Sequence, residues 1–135
     1  MGIEVRGMCP LISVFHMPRS LAFYRDILGF EIMSDSGNGD ESSWVWIRLN
    51  DADLMLNDQY EPGRVPEGPP PERQKWHHDT CLYFRADSDA VYEYLRSKAI
   101  EVKPPTNAPY GMRQLYLNDP DGYNLCFQTP IEPSQ

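Results

Sequence analysis

The sequence predicts an α+β fold made of one β-α-β-β-β unit used twice. Three observations carry this. The stretches VFHMPRSLAFYRDILGFEI (14–32) and YFRADSDAVYEYLRSKAIEV (83–102) follow one order: a strand ending in an aromatic, a polar break, an amphipathic helix, a small residue and a second strand. Phe15 and Phe84 stand 69 positions apart, and LND recurs at 49–51 and 117–119 with an offset of 68. After each helix come two strand-like runs joined by a polar turn, SWVWIRL with DLMLN and MRQLYLN with YNLCFQ.

In the first unit the helix stripe is Leu21, Tyr24 and Leu28, widened by Phe23 and Ile27. Pro18 suits a first helical turn, whose N–H groups have no intrahelical partner. Gly29 is placed to end the helix in the left-handed region, and FEIM begins the next strand. In the second unit Asp87 or Ser88 caps the helix, Val91, Tyr94 and Leu95 face the core, and Ala99 opens the strand IEV. The turn NDPDG is built for structure. Pro120 presets its dihedral, Asp119 and Asp121 are positioned to accept nearby backbone N–H groups, and Gly122 takes the left-handed position. Module one is thus expected over about 9–58 and module two over about 77–129, in a single domain of 1–135. Between them the proline-rich 59–76 reads as a solvated connector, with a lid over a neighbouring cleft as the functional alternative.

The chain has 135 residues, enough for one core without staples. Its formal charge of −8 argues against nucleic acid, which needs clustered Lys and Arg, and favours a cationic ligand. Three cysteines at no tight spacing predict a reducing compartment, the cytoplasm. No apolar run is long enough for a membrane span, and the N-terminus lacks the pattern of a secretory leader. Arg6 stands where a myristoylation signal has Ser or Thr.

The pairing of SLAFYRDILGFEI with NDPDGYNLCF, in a duplicated unit spanning 9–129, resembles the vicinal-oxygen-chelate superfamily. That group contains glyoxalase I, extradiol dioxygenases, fosfomycin-modifying enzymes and bleomycin-resistance proteins. The resemblance implies a curled mixed sheet around a cup-shaped cavity, and a homodimer. In metal-using members four His, Gln or Glu side chains converge in the cup, from the first and last strand of each unit. The positions that correspond here are Cys9, Met55, Thr80 and Cys126, none of them such a ligand. Met and Thr hold Mg, Mn, Fe or Ni poorly. The resemblance therefore implies a bleomycin-resistance-like member with no metal. A divalent metal in a thiolate-rich set of Cys9, His78 and Cys126 is the alternative, with His78 placed on the strand face of Thr80.

For the remaining cup the residues themselves suggest a surface. Alternation puts Trp44, Trp46 and Arg48 on one face of a strand and Val45, Ile47 and Leu49 on the other. Two indoles and a guanidinium make a stacking surface for a planar aromatic or cationic small molecule, or else cover a core or dimer face. Tyr110 and Arg113 enter the seventh strand and are candidates to close the same cup, with His78. His16, at the end of the first strand, and His77 and His78, opening the fifth, are the candidates for proton chemistry. There is no nucleophile–base pair, phosphate loop or paired-carboxylate arrangement.

Three functions follow as expectations. The first is a glyoxalase/bleomycin-resistance-like protein binding a small molecule without a metal. The second is a metal-dependent lyase, isomerase or dioxygenase with a non-standard ligand set. The third is a non-catalytic dimerisation module.

Overall fold

The computed structural model describes residues 2–58, 60, 64 and 66–131. The chain divides into two compact units, residues 1–69 and 70–135. The first runs β1 (Leu11–Val14), α1 (Met17–Leu21), a π-helical turn (Ala22–Ile27), β2 (Glu31–Asp35), β3 (Trp44–Leu49) and β4 (Ala52–Asp58). Its four-stranded sheet has the order β1-β4-β3-β2, with β1 parallel to β4 and the other neighbours antiparallel. The second runs α2 (Arg73–Trp76), β5 (Cys81–Arg85), α3 (Ser88–Ser97), β6 (Thr106–Asn107), β7 (Met112–Asn118) and β8 (Asn124–Pro130). Its sheet, β5-β8-β7-β6, repeats the same pattern of parallel and antiparallel neighbours. The fold is α+β, from two β-α-β-β-β modules. No helix among the described residues is long and apolar enough to cross a membrane.

Each sheet buries one face. In the first unit Ile12, Val14, Val45, Ile47, Leu54 and Leu56 are buried, as are Leu21, Tyr24 and Leu28 of the helical segment. In the second, Leu95 of α3 and Leu115, Leu125 and Phe127 of the sheet form the core, with Phe84 stacked on Phe127 at 4.9 Å. Alternation then leaves the other face of each sheet open.

Several local expectations change. The first helix is α-helical only to Leu21 and continues as a π turn, closed by the Leu28 N–H on the Phe23 carbonyl at 3.0 Å. The stripe of Leu21, Tyr24 and Leu28 serves either geometry, so the sequence does not distinguish them. Asp87, not Ser88, caps α3, accepting from the N–H groups of Asp89 and Ala90. Tyr94 is exposed instead of buried. IEV forms no strand: β6 starts at Thr106, after Pro104 and Pro105, which have no N–H to donate to a ladder.

The connector is not all connector. Residues 73–76 form α2, and Arg73 is fully buried, its Nε donating to Asp121 Oδ1 at 2.6 Å. Gln74 Nε2 donates to the Pro120 carbonyl at 2.6 Å, and His77 stacks on Tyr123 at 4.0 Å with the rings 9° from parallel. Asp119 does serve its turn, accepting from the N–H groups of Asp121 and Tyr123. Asp121 instead turns its carboxylate to Arg73. A lid role for the more N-terminal part of 59–76 falls largely outside the described residues.

Candidate functional site

The open face of the first sheet is built by β3 and β4. Because Val45 and Ile47 are buried, Trp44, Trp46 and Arg48 stand on the opposite side, each partly exposed. Across the ladder Trp46 pairs with Met55 and Arg48 with Asp53. The face is held rigidly. Arg48 donates twice to Asp53, at 2.6 and 3.2 Å, and its guanidinium lies 5.2 Å from the centre of the Trp46 ring. The Trp44 indole N–H donates to the Met55 sulfur at 3.3 Å. The bonds from Arg48 hold the Asp53 carboxyl below its usual range, and the buried Trp46 N–H, which closes no full hydrogen bond, adds to this in the same direction. Arg48 is correspondingly raised by Asp53. This face therefore carries a guanidinium that is already neutralised.

Cys9 precedes β1 and sits beside this group. Burial first, then the Asp53 charge, push its thiol up, while Arg48 opposes them. Met55 is tied to the same corner by its N–H on the Pro10 carbonyl at 2.8 Å.

The second sheet's open face is polar and aromatic. Gln114 is buried at its centre, with its Nε2 donating to Tyr110 Oη at 2.8 Å and Gln128 Oε1 at 2.9 Å. Tyr116 Oη donates to Gln114 Oε1 at 3.3 Å. Cys126 is fully buried and pairs with Tyr116 on one side and Tyr83 on the other. Burial pushes the Cys126 and Cys81 thiols up, and a hydrogen bond with Tyr83, helped by burial, pushes Tyr116 up. All of these groups are neutral at neutral pH.

The sequence-derived candidates fare unequally. Trp44, Trp46 and Arg48 share one face, and Tyr110 joins the Gln114 network from the loop before β7. Arg113 does not: it lies on the helix side of β7 and is bound three times to Asp89 of α3, at 2.9 to 3.2 Å, and once to Asn107. An odd position in a strand whose even positions lie on the open face leaves it no other side. His77 and His78 lie in the turn before β5, so His78 does not share a strand face with Thr80. It is exposed, with its ring nitrogen bonded to the Lys75 carbonyl. His16 stands just before α1. Gln114, Tyr116, Tyr83 and Gln128 share the open face with Cys126 and are not among the sequence-derived candidates. Period-two counting from Cys126 and its ladder partners was the signal that would have found them. A shallow groove of about 680 Å³ beside Tyr92, Arg96 and 99–104 lies at the end of α3, away from this face, and gathers no comparable chemistry.

A model of the glyoxalase/bleomycin resistance protein/dioxygenase superfamily matches residues 9–127. The chain belongs to that superfamily. It is 34% identical over 112 residues to the uncharacterized protein YaeR of Escherichia coli K12, covering 78% of this chain and 81% of that one. Among solved structures it resembles TnmS3, an antibiotic-binding protein from Streptomyces sp. CB03234, with 25% identity, a TM-score of 0.64, and coverage of 95% and 99%. It also resembles the bleomycin-binding protein of Streptomyces verticillus solved with copper(II)-bleomycin, with 21% identity, a TM-score of 0.66, and coverage of 98% and 100%.

Many members of the superfamily use a divalent metal, and the residues at the corresponding positions here do not fit one. Cys9 and Cys126 are thiols raised by burial, Met55 offers a thioether already accepting an indole N–H, and Thr80 offers a neutral hydroxyl. Hard divalent ions prefer carboxylate or carbonyl oxygens, and borderline ones such as Fe and Ni also take imidazole. Among the described residues no three His, Cys, Asp or Glu side chains are grouped to hold an ion.

Proposed function

We propose that the protein binds a flat aromatic small molecule, without a metal, against the open sheet face carrying Trp44 and Trp46. The observation behind this reading is that the side chains of that face are tied to one another. Arg48 is fixed by Asp53, Trp46 by Arg48, and Trp44 by Met55, so little side-chain freedom remains to be lost on binding. A planar ring gains stacking area there. A cation gains less at Trp46, because a guanidinium already lies over that ring. Binding of a small molecule also accords with the antibiotic-binding protein among its structural neighbours. A metal-dependent lyase, isomerase or dioxygenase finds no support in the donor set at Cys9, Met55, Thr80 and Cys126.

Equilibrium dialysis against copper(II)-bleomycin and simple planar aromatics, acridine and 2-naphthoate, tests this. At least one should bind saturably, and Trp44→Ala or Trp46→Ala should each weaken it by about 1–3 kcal/mol with the far-ultraviolet circular dichroism unchanged. Affinity unchanged in both variants would move the site elsewhere. The reading carries with it a cytoplasmic homodimer, expected to sediment at twice the chain's 15.6 kDa.

A further inference from the structure

We propose that the flat ligand is a linear fused system of three rings, laid across the strands of the first sheet from Trp46 to Leu11. This rests on the reading of the Trp44 and Trp46 face as a seat for planar aromatic molecules, and adds the size and shape of the ring.

The register of the first sheet sets its open-face side chains in rows that cross the strands. Trp46 of β3 stands opposite Met55 of β4, and Met55 stands opposite Leu11 of β1. The next pair, Ile12 and Leu56, is buried, so Leu11 and Met55 share the open face with Trp46. Leu11 is 54% exposed, whereas Ile12 and Val14 of the same strand are buried. The Trp44 indole N–H donates to the Met55 sulfur, which turns that ring toward the same row. The row is therefore apolar over three strands, a length of about 9–10 Å at the usual strand spacing.

Polar groups flank the row along the strands. Two residues to one side, about 6.6 Å away, lie Glu31, Arg48 and Asp53, one each from β2, β3 and β4. Two residues to the other side lie Asn57 and Ser13, in register with Trp44. The row ends at Ser34 on β2, which pairs with Trp46, and at Leu11 on β1, the outermost strand on that side. The apolar surface is thus long across the strands and narrow along them. The second sheet has no equivalent. Its row of Tyr83, Cys126 and Tyr116 carries two phenol hydroxyls, and the next row sets Arg85, without an acidic partner among the described residues, beside Gln128 and Gln114.

Shape follows from this outline. A ring that spreads sideways strips water from the Arg48–Asp53 pair or from Asn57 without replacing its hydrogen bonds. A ring that extends along the row covers Met55 and Leu11 and gains apolar contact. Each linearly fused ring adds roughly half a strand spacing, so two rings cover Trp46 and Met55 and a third reaches Leu11.

Equilibrium dialysis of quinoline, acridine and phenanthridine, in mildly alkaline buffer that keeps all three uncharged, tests this. Acridine and phenanthridine contain the same atoms and differ in linear against angular fusion, so a surface that is merely apolar would bind them alike. Acridine should bind about tenfold tighter than quinoline and about fivefold tighter than phenanthridine. Leu11→Ala should weaken acridine about fivefold, remove the preference for the linear isomer and leave quinoline within about twofold, and Leu11→Met should restore acridine binding. Leu11 is exposed, so neither replacement disturbs the core. Equal binding of the two isomers, or acridine affinity unchanged in Leu11→Ala, would overturn this inference and leave flat-ring binding standing. So would failure of acridine to bind where 2-naphthoate or copper(II)-bleomycin does. Absence of binding by all of these compounds would overturn the reading beneath it as well.

Discussion

At Gly122 two constraints meet: its φ is 88°, and a Cβ built there would lie 2.4 Å from the Gln74 carbonyl oxygen. Gly111 has a similar φ of 87° but open space around it. Urea denaturation should therefore show Gly111→Ala costing about 1 kcal/mol and Gly122→Ala about 3 kcal/mol or more, since overpacking against backbone adds to the left-handed penalty. Equal losses would mean the Gln74 contact does not matter. The neighbouring pair behaves alike: Arg73→Met leaves Asp121 buried without its guanidinium and should cost about 3–5 kcal/mol. The turn itself was legible in NDPDG, because Pro, Asp and Gly each declare their dihedral preference locally. The partner of Asp121 was not, because Arg73 is 48 positions away in a stretch whose prolines suggest only a connector. His77 shows the same long-range dependence. Burial, then the Arg73 charge, hold its pKa below the ordinary 6.5, against the opposing pull of Asp121 and Asp79. The folded state therefore favours the neutral ring, and the unfolded chain takes up the proton first as pH falls. Stability from this residue is complete above pH 6.5 and declines as pH drops from 6.5 through the lower folded value. His77→Phe should keep the stack on Tyr123 and flatten that part of a stability–pH curve, well above the range where Asp26, Asp40, Asp53 and Asp89 titrate.

At the scale of elements, the hairpins β3–β4 and β7–β8 were readable because alternation and turn residues agree within a few positions. The short β6 was not, since IEV has strand propensity but is followed by two prolines that cannot pair. The two helices end differently: Gly29 closes the first at φ 93°, while Ala99 adopts φ 59° after α3, where a side chain is strained. Ala99→Gly should thus stabilise the second unit by about 1 kcal/mol, contrary to the usual cost of glycine. A loss of stability on thermal melting would show that Ala99 makes compensating contacts. Asp87→Ala at the other end should cost about 1 kcal/mol, as both of its N–H bonds to the first turn vanish.

Across the molecule, duplication preserves topology while the open faces diverge. The first sheet presents indoles, a thioether and a neutralised guanidinium; the second presents tyrosines, amides, thiols and an unneutralised one. That Trp44, Trp46 and Arg48 share one face was legible because they alternate within one run. Gln114 and Tyr116 were hidden, because their role depends on Tyr110, Gln128 and Cys126, which only the ladder register brings beside them. The same register explains why Arg113, suggestive in sequence, serves α3 instead. Metal-free binding of flat aromatic molecules is measured by equilibrium dialysis of acridine, 2-naphthoate and copper(II)-bleomycin against the wild type and a Trp44→Ala/Trp46→Ala variant. Saturable binding of at least one of them is expected, with a chelator present for the two aromatics, and should be lost in the folded variant. Absence of saturable binding, or equal binding by the variant, would contradict it.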